Sequence, residues 1–369
     1  FAALAKEARG RLSEFHTQGL SMTAWSFATA SQPAPELFDA IAAQIISRGD
    51  DCTAQTLAIA AWAFASAGHP AAELFDAIAK QVCEHTSAYQ TQGLANLAWA
   101  FATAGVEAPA MFDAIAKESS TRTADFKSQG LTNIAWAYAK CGHQAPQLYE
   151  AIAAELIGRA EHLSSQELAN TAWGYATAGR SAPALFEAIA SAAVKKIHDL
   201  KTQEVANLLW AYSTAGHPAP VLFDALAESA QRQLPAFNTQ GLTNIAWAFA
   251  ASGVASAPLS SALAVEVRRK IEDFNAQGLA NTAWAFATLG EKEPRLFDSV
   301  MEEAASRLHE FSPQGLASLI WSCATSGRVM PFFLDSFAAA AQEKFELFGA
   351  KELSITAWSY ATSRYVVPG

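Results

Sequence analysis

Residues 92–105 read QGLANLAWAFATAG, and near copies return at 129–142 (QGLTNIAWAYAKCG), 240–253 (QGLTNIAWAFAASG) and 277–290 (QGLANTAWAFATLG). The phrase is apolar, rich in small residues and almost uncharged. Leu94, Leu97 and Phe101 fall at spacings of three and four, which places them on one face of a helix with alanines along its flanks. Gly105 follows where a helix that must stop takes a residue free to adopt positive φ.

Outward from this phrase the chain keeps strict time. Its ten tryptophans, Trp25, Trp62, Trp99, Trp136, Trp173, Trp210, Trp247, Trp284, Trp321 and Trp358, are spaced by 37 residues without exception. A fixed period of this size marks stacked supersecondary units, each burying its apolar face against the next. Glycine lies six residues after the tryptophan in eight of the ten copies, and proline ten residues after it at Pro109, Pro146, Pro183 and Pro220, suited to the first turn of a second helix. That helix reads LFDAIA and is expected to run about fifteen residues. A bulky residue, Phe126, Phe237, Phe274 or Phe311 among them, closes the unit. Ser-Ser-Gln-Glu at 164 predicts a capping box, and Ser-Pro-Gln-Gly at 312 a serine cap followed by proline at N1. No alternating β-branched run suggests a sheet. The expected fold is therefore all-α, an α-solenoid of about ten helical hairpins forming a single domain over 1–369. Phe1 aligns with Phe38 and Phe75 inside a second helix, the chain ends just after Pro368, and neither end looks capped, which predicts a segment of a longer protein.

Composition bounds the function. The chain is 51% apolar and 16% charged, with 35 acidic against 25 basic residues and a net charge of −10. That balance counts against binding driven mainly by phosphate neutralisation. No apolar run is long enough to span a bilayer, so no membrane insertion is expected. Cys52, Cys83, Cys141 and Cys323 lack Cys-x-x-Cys spacing and read as small apolar residues.

At 100° per residue the first helix has two faces. The residues five and two before the tryptophan and two after it face the core. Roughly opposite runs a polar stripe: Gln seven before (Gln92, Gln129, Gln166), the residue three before, the tryptophan itself and the residue four after. Asn holds the minus-three position in six successive units, Asn96, Asn133, Asn170, Asn207, Asn244 and Asn281. The plus-four position holds Thr103, Thr177, Thr214 and Thr288, but Lys140 in the fourth unit. Asn and Thr are poor mid-helix residues. Two explanations stand: a ladder in which each Asn bonds the neighbouring unit with Trp as mortar, or a groove that holds an extended polymer by amide hydrogen bonds and aromatic stacking.

A basic row lies twenty-three residues after the tryptophan: Arg48, Arg122, Arg159, Lys196, Lys270, Arg307 and Lys344, with His85 and Gln233 as exceptions. A row of acids, Asp39, Asp76, Asp113, Glu150, Glu187, Asp224, Asp298 and Asp335, sits near the start of the same helix. Both rows suit the helix dipole; the basic one could equally be a phosphate rail. His69, His143 and His217 are spaced by 74 residues, two units, and so cannot share a metal. No Walker-type loop and no insertion that could house a catalytic site interrupt the repeat, so a non-enzymatic protein without cofactor or metal is expected.

The unit, with its Q-G/E-L-A-N-x-A-W-A-F/Y-A-x-x-G phrase, P-x-L-F-D-A-I-A and closing Phe, resembles the octotricopeptide repeat family and its relative the heptatricopeptide repeat, to which a 37-residue period is closer. The resemblance covers nearly the whole chain. It implies a mitochondrial or plastid RNA-binding solenoid acting in RNA metabolism or with an organellar ribosome. The implied partners are single-stranded or ribosomal RNA and other proteins of a ribonucleoprotein. Six identical asparagines imply contact with something that itself repeats, and so argue against a base-by-base code. The competing expectations are an armadillo-like peptide- or protein-binding scaffold, which an acidic solenoid would suit, and a structural subunit of a large complex.

Overall fold

The computed structural model describes residues 1–254, 256–290 and 294–366; Pro368 lies outside them. Among these residues the chain forms twenty α-helices and no strand, an all-α solenoid of hairpins. Its contacts divide it into two units, Phe1–Ala192 and Ala193–Gly369, built to the same plan. In the first unit the tryptophan-bearing helices are α2 (Thr17–Thr29), α4 (Ala54–Ala67), α6 (Thr91–Ala104), α8 (Ser128–Cys141) and α10 (Ser165–Thr177). They alternate with the second-type helices α1 (Ala2–Gly10), α3 (Pro35–Ser47), α5 (Ala72–His85), α7 (Pro109–Ser120), α9 (Pro146–Arg159) and α11 (Pro183–Lys195). In the second unit the tryptophan helices are α12 (Thr202–Ala215), α14 (Thr239–Ser252), α16 (Ala276–Leu289), α18 (Pro313–Thr325) and α20 (Ala350–Ser363). Between them run α13 (Pro220–Gln233), α15 (Ala257–Arg269), α17 (Pro294–Ser306) and α19 (Pro331–Gln342).

The core is the face that the periodicity marks. Leu94, Leu97 and Phe101 are fully buried, as are Leu131, Ile134 and Tyr138 one repeat on. Several second helices send an aromatic ring edge-on into the following tryptophan helix: Phe75 meets Phe101 at 4.9 Å and 84°, and Phe112 meets Tyr138 at 5.1 Å and 89°. Where the first helix carries Tyr, its hydroxyl donates to a backbone carbonyl of the preceding second helix, Tyr138 to Phe112 at 2.5 Å and Tyr175 to Tyr149 at 2.6 Å. Within each unit successive tryptophan helices pack more closely than successive second helices. Small residues one after and four before the tryptophan, such as Ala100 and Ala95, make that approach possible. At Gly174 a Cβ would already come within 3.2 Å of the Ala135 backbone.

The punctuation also holds. The glycine six residues after each tryptophan has φ between 62° and 69° in all eight copies. Ser31 and Arg364 occupy the same place in the other two repeats and adopt the same left-handed conformation at φ 51°, so the stack imposes the turn even where no glycine eases it. Ser164 and Glu167 form the expected capping box, and Ser312 accepts a hydrogen bond from the Gly315 amide at 3.2 Å behind Pro313 at N1. The second helices are shorter than expected. α7 has 12 residues and α9 has 14, because the chain then tightens into a 3-10 turn such as Thr123–Asp125 before the buried, extended Phe126.

Candidate functional site

Two of the rows marked in the sequence turn out to stitch the hairpins together. The cation twenty-three residues after the tryptophan reaches back 33 residues to the carbonyl of the closing bulky residue: Arg48 to Phe15 at 2.6 Å, Arg122 to Tyr89 at 3.2 Å and Arg159 to Phe126 at 2.6 Å. Lys270 does the same to Phe237 at 2.5 Å, Lys344 to Phe311 at 2.8 Å, and Arg307 to Phe274. Each acceptor is extended backbone between a 3-10 turn and a helix, with no helical partner of its own, and a charged donor satisfies it well. Most of these cations also pair with the residue four before them: Arg122 with Glu118 at 2.8 Å, Arg159 with Glu155 at 2.5 Å and Lys270 with Glu266 at 3.2 Å. Hydrogen bonds from Arg269 first, and from Lys270 after burial has worked against them, hold the Glu266 carboxyl below the usual carboxylate range. These six side chains therefore turn into the hairpin base, a role that neither the dipole nor the phosphate rail required.

Four acids of the other row latch neighbouring repeats. His69 Nε2 lies 2.8 Å from Asp39 Oδ1, and His143 Nε2 lies 2.8 Å from Asp113 Oδ1. Arg328 donates to Asp298 at 2.5 Å and the Tyr365 hydroxyl to Asp335 at 2.9 Å, so three side-chain types fill one geometric role. No group of metal-ligating side chains gathers among the described residues.

The stripe is different. Gln92, Gln129 and Gln166 are exposed, and the six asparagines are all half-buried. Among the described residues no hydrogen bond reaches a side-chain amide of Asn96, Asn133, Asn170, Asn207, Asn244 or Asn281. The Asn ladder is thus not formed, whereas part of the tryptophan mortar is. Ring centroids of Trp62 and Trp99 are 6.1 Å apart, those of Trp136 and Trp173 6.2 Å, and those of Trp210 and Trp247 6.5 Å, with the rings inclined by about a third of a right angle. Trp284 is half-buried, while Trp25 and Trp358 are exposed. Thr177, Thr214 and Thr288 are exposed, and Thr103 keeps a buried hydroxyl without a partner.

Between adjacent tryptophan helices of the second unit the stripe opens into a series of polar clefts. Gln203 and Asn207 face Gln240 and Asn244 across a cleft of about 330 Å³. The same Gln240 and Asn244 face Gln277 and Asn281 across the next, of about 230 Å³, and those face Gln314 and Ser318 across one of about 370 Å³. Every internal Gln–Asn pair thus serves two clefts. The clefts extend to residues the stripe did not include: Asn238 and Asn275, whose side chains accept hydrogen bonds from Gly241 and Gly278 amides at 2.8 and 2.7 Å and cap their helices. Their place nine residues before the tryptophan, where Ser and Thr also occur, was the readable signal. A cleft walled by carboxamides offers donors and acceptors together, and among these three only the last adds a charge, at Glu310. It can receive phosphate or ribose oxygens, base edges or peptide groups.

The model of the RNA-editing substrate-binding complex 6 protein family matches residues 53–366. The chain belongs to that family. The match spans both units, every stripe asparagine and nine of the ten tryptophans, Trp62 to Trp358. This RNA-editing substrate-binding complex 6 family member is thus a helical-repeat protein of an RNA-related family, a coarser result than the octotricopeptide or heptatricopeptide likeness of its repeat. No curated protein matches it. Among solved structures it is similar, at 11% identity and a TM-score of 0.32, to a chain of a homology model of the full-length AP-3 complex in an intermediate open conformation, over 98% of this chain and 79% of that one. It is also similar to the pentatricopeptide repeat protein PPR10 from maize, at 11% identity and a TM-score of 0.21, over 98% and 70%. Neither likeness is close enough to carry an argument about this family member. No helix among its described residues is long and apolar enough to cross a membrane.

Proposed function

We propose that this protein binds single-stranded RNA along the stripe of its tryptophan helices, without catalysing a reaction, as a substrate-holding component of an RNA-editing assembly in an organelle, which we take to be the mitochondrion. The observation that carries the proposal is the set of half-buried asparagine amides with no partner among the described residues, repeated at one position in six successive repeats. A half-buried amide left unpaired is a poor structural device and a good recognition one. The family's name adds an RNA substrate and a complex of several proteins. The repeat is heptatricopeptide-like in its 37-residue period. Ribosomal RNA has no support from the family match and drops out of the proposal.

Because the stripe is uniform, the amides meet a repeating feature of the strand, its ribose-phosphate backbone, and sequence preference is weak. Because most of the basic row is bonded to carbonyls, phosphate neutralisation contributes little, and affinity falls only gently with salt. That same engagement, with the net charge of −10, favours the second reading, a scaffold that binds a basic peptide through the same amides.

Titration of the protein with a short oligouridylate, read by iodide quenching of tryptophan emission, tests the proposal. RNA shields the stripe tryptophans if the strand lies along them. A basic peptide that shields them at lower concentration than the RNA would replace the proposal with the second reading.

A further inference from the structure

In the six repeats that carry asparagine, the four stripe positions hold one charged side chain, Lys140. A uniform stripe offers a bound strand equivalent seats, so the strand can slip by one repeat at no cost. The one charge at those positions breaks that degeneracy. We propose that Lys140 is a phosphate anchor that sets the register of RNA on the stripe; the proposal rests on the RNA reading above.

Lys140 is exposed in the last turn of α8, in the place where Thr103, Thr177, Thr214 and Thr288 stand in other repeats. Its Nζ lies 5.3 Å from the centroid of the Trp136 ring, and no carboxylate among the described residues pairs with it. The ring is itself held by Trp173, 6.2 Å away. The negative face of the indole thus keeps the ammonium over the stripe, and a flexible side chain so placed loses less freedom when it meets a phosphate. Beside it a cleft of about 480 Å³ opens between the ends of α6 and α8, lined by Phe101, Val106, Phe112 and His143 as well as Lys140 and Glu107. Glu107 is the acid in that cleft's lining, and the Asp113 carboxylate is held against His143. The cations of the basic row cannot substitute, since Arg122 and Arg159 bond carbonyls at the hairpin base.

The test uses the full chain and a short oligouridylate with 4-thiouridine at its 5′ end, photo-crosslinked and mapped to peptides. In the wild type crosslinks concentrate around one repeat. Lys140→Thr, which installs the residue of neighbouring repeats, spreads them along the stripe, and flattens the slope of log K against log salt by about 0.7, the share of one single-strand phosphate contact. Adding Thr177→Lys restores the cluster one repeat, 37 residues, further along. An unchanged crosslink map and salt slope in Lys140→Thr, with RNA still bound, would overturn the anchor and leave the stripe reading standing. Failure of the wild type to bind the oligouridylate would overturn both. Lys140→Gln, which keeps length without charge, gives the same result as Lys140→Thr if charge is what matters; wild-type behaviour of the Gln variant would contradict the anchor.

Discussion

Gln233 donates through Nε2 to the Leu200 carbonyl at 3.1 Å and to the Ser229 hydroxyl at 3.0 Å, the two places that an arginine or lysine fills between a carbonyl and a glutamate elsewhere. One repeat thus keeps the hydrogen bonds of the basic row and discards its charge. What the position requires is a donor that reaches the hairpin base.

Arg159→Met therefore destabilises the protein by about 1.5–3 kcal/mol, the scale of a lost charge-assisted hydrogen bond, because Arg159 is 26% exposed and leaves both the Phe126 carbonyl and Glu155 without it. Arg159→Gln recovers much of the loss. RNA affinity and its salt slope stay near wild type in both. Urea unfolding and RNA titration of the two variants check this, and a drop in affinity without a drop in stability would return the row to the RNA.

Much of this fold is legible in the sequence, and the basic row shows where legibility stops. Period, face, glycine stop and proline start each follow from a local rule that acts through residue type. The clamp joins a side chain to a carbonyl 33 residues earlier, and carbonyls have no letter in a sequence. A cation near a helix end looks the same whether it serves a dipole, a phosphate or a distant carbonyl. The pairing of residues four apart, Glu118 with Arg122 but Ser229 with Gln233, was the readable clue. For the stripe, the sequence located the residues, while the absence of a partner for each asparagine and the clefts between helices needed the packed structure.

Glycine in the first turn of the tryptophan helix separates two local environments. At Gly241 a Cβ would lie 2.8 Å from the Phe237 ring and 3.2 Å from the capping oxygen of Asn238, whereas at Gly19 the nearest atom, on Phe15, is 3.4 Å away. Gly241→Ala costs about 1–3 kcal/mol by overpacking a buried ring. Gly19→Ala gains up to about 1 kcal/mol of helix propensity. Opposite shifts of the urea midpoint are expected, and equal ones would contradict the steric account.

Alkaline pH strikes the hairpin cores. Burial pushes the Tyr89 and Tyr360 hydroxyls up to about 12, and raises those of Tyr138, Tyr149, Tyr175 and Tyr212 as well. A group whose folded pKa lies above its unfolded value, about 10 for tyrosine, contributes stability that is complete below that value and is lost as pH rises through it. Stability is thus expected to be insensitive to these groups at neutral pH and to fall steeply from about pH 10 upward. Tyr138→Phe, which removes the hydroxyl bonded to the Phe112 carbonyl, lowers stability at neutral pH by about 1 kcal/mol and flattens the alkaline fall. Urea midpoints across that pH range read both effects.

The stripe itself is tested most directly by replacing Asn133, Asn170 and Asn207 together with alanine and measuring affinity for oligouridylate at fixed salt. These amides have no partner among the described residues, so stability is expected to hold or rise through better helix propensity, while RNA affinity falls at least tenfold. A triple variant that binds RNA as tightly as the wild type would contradict the account.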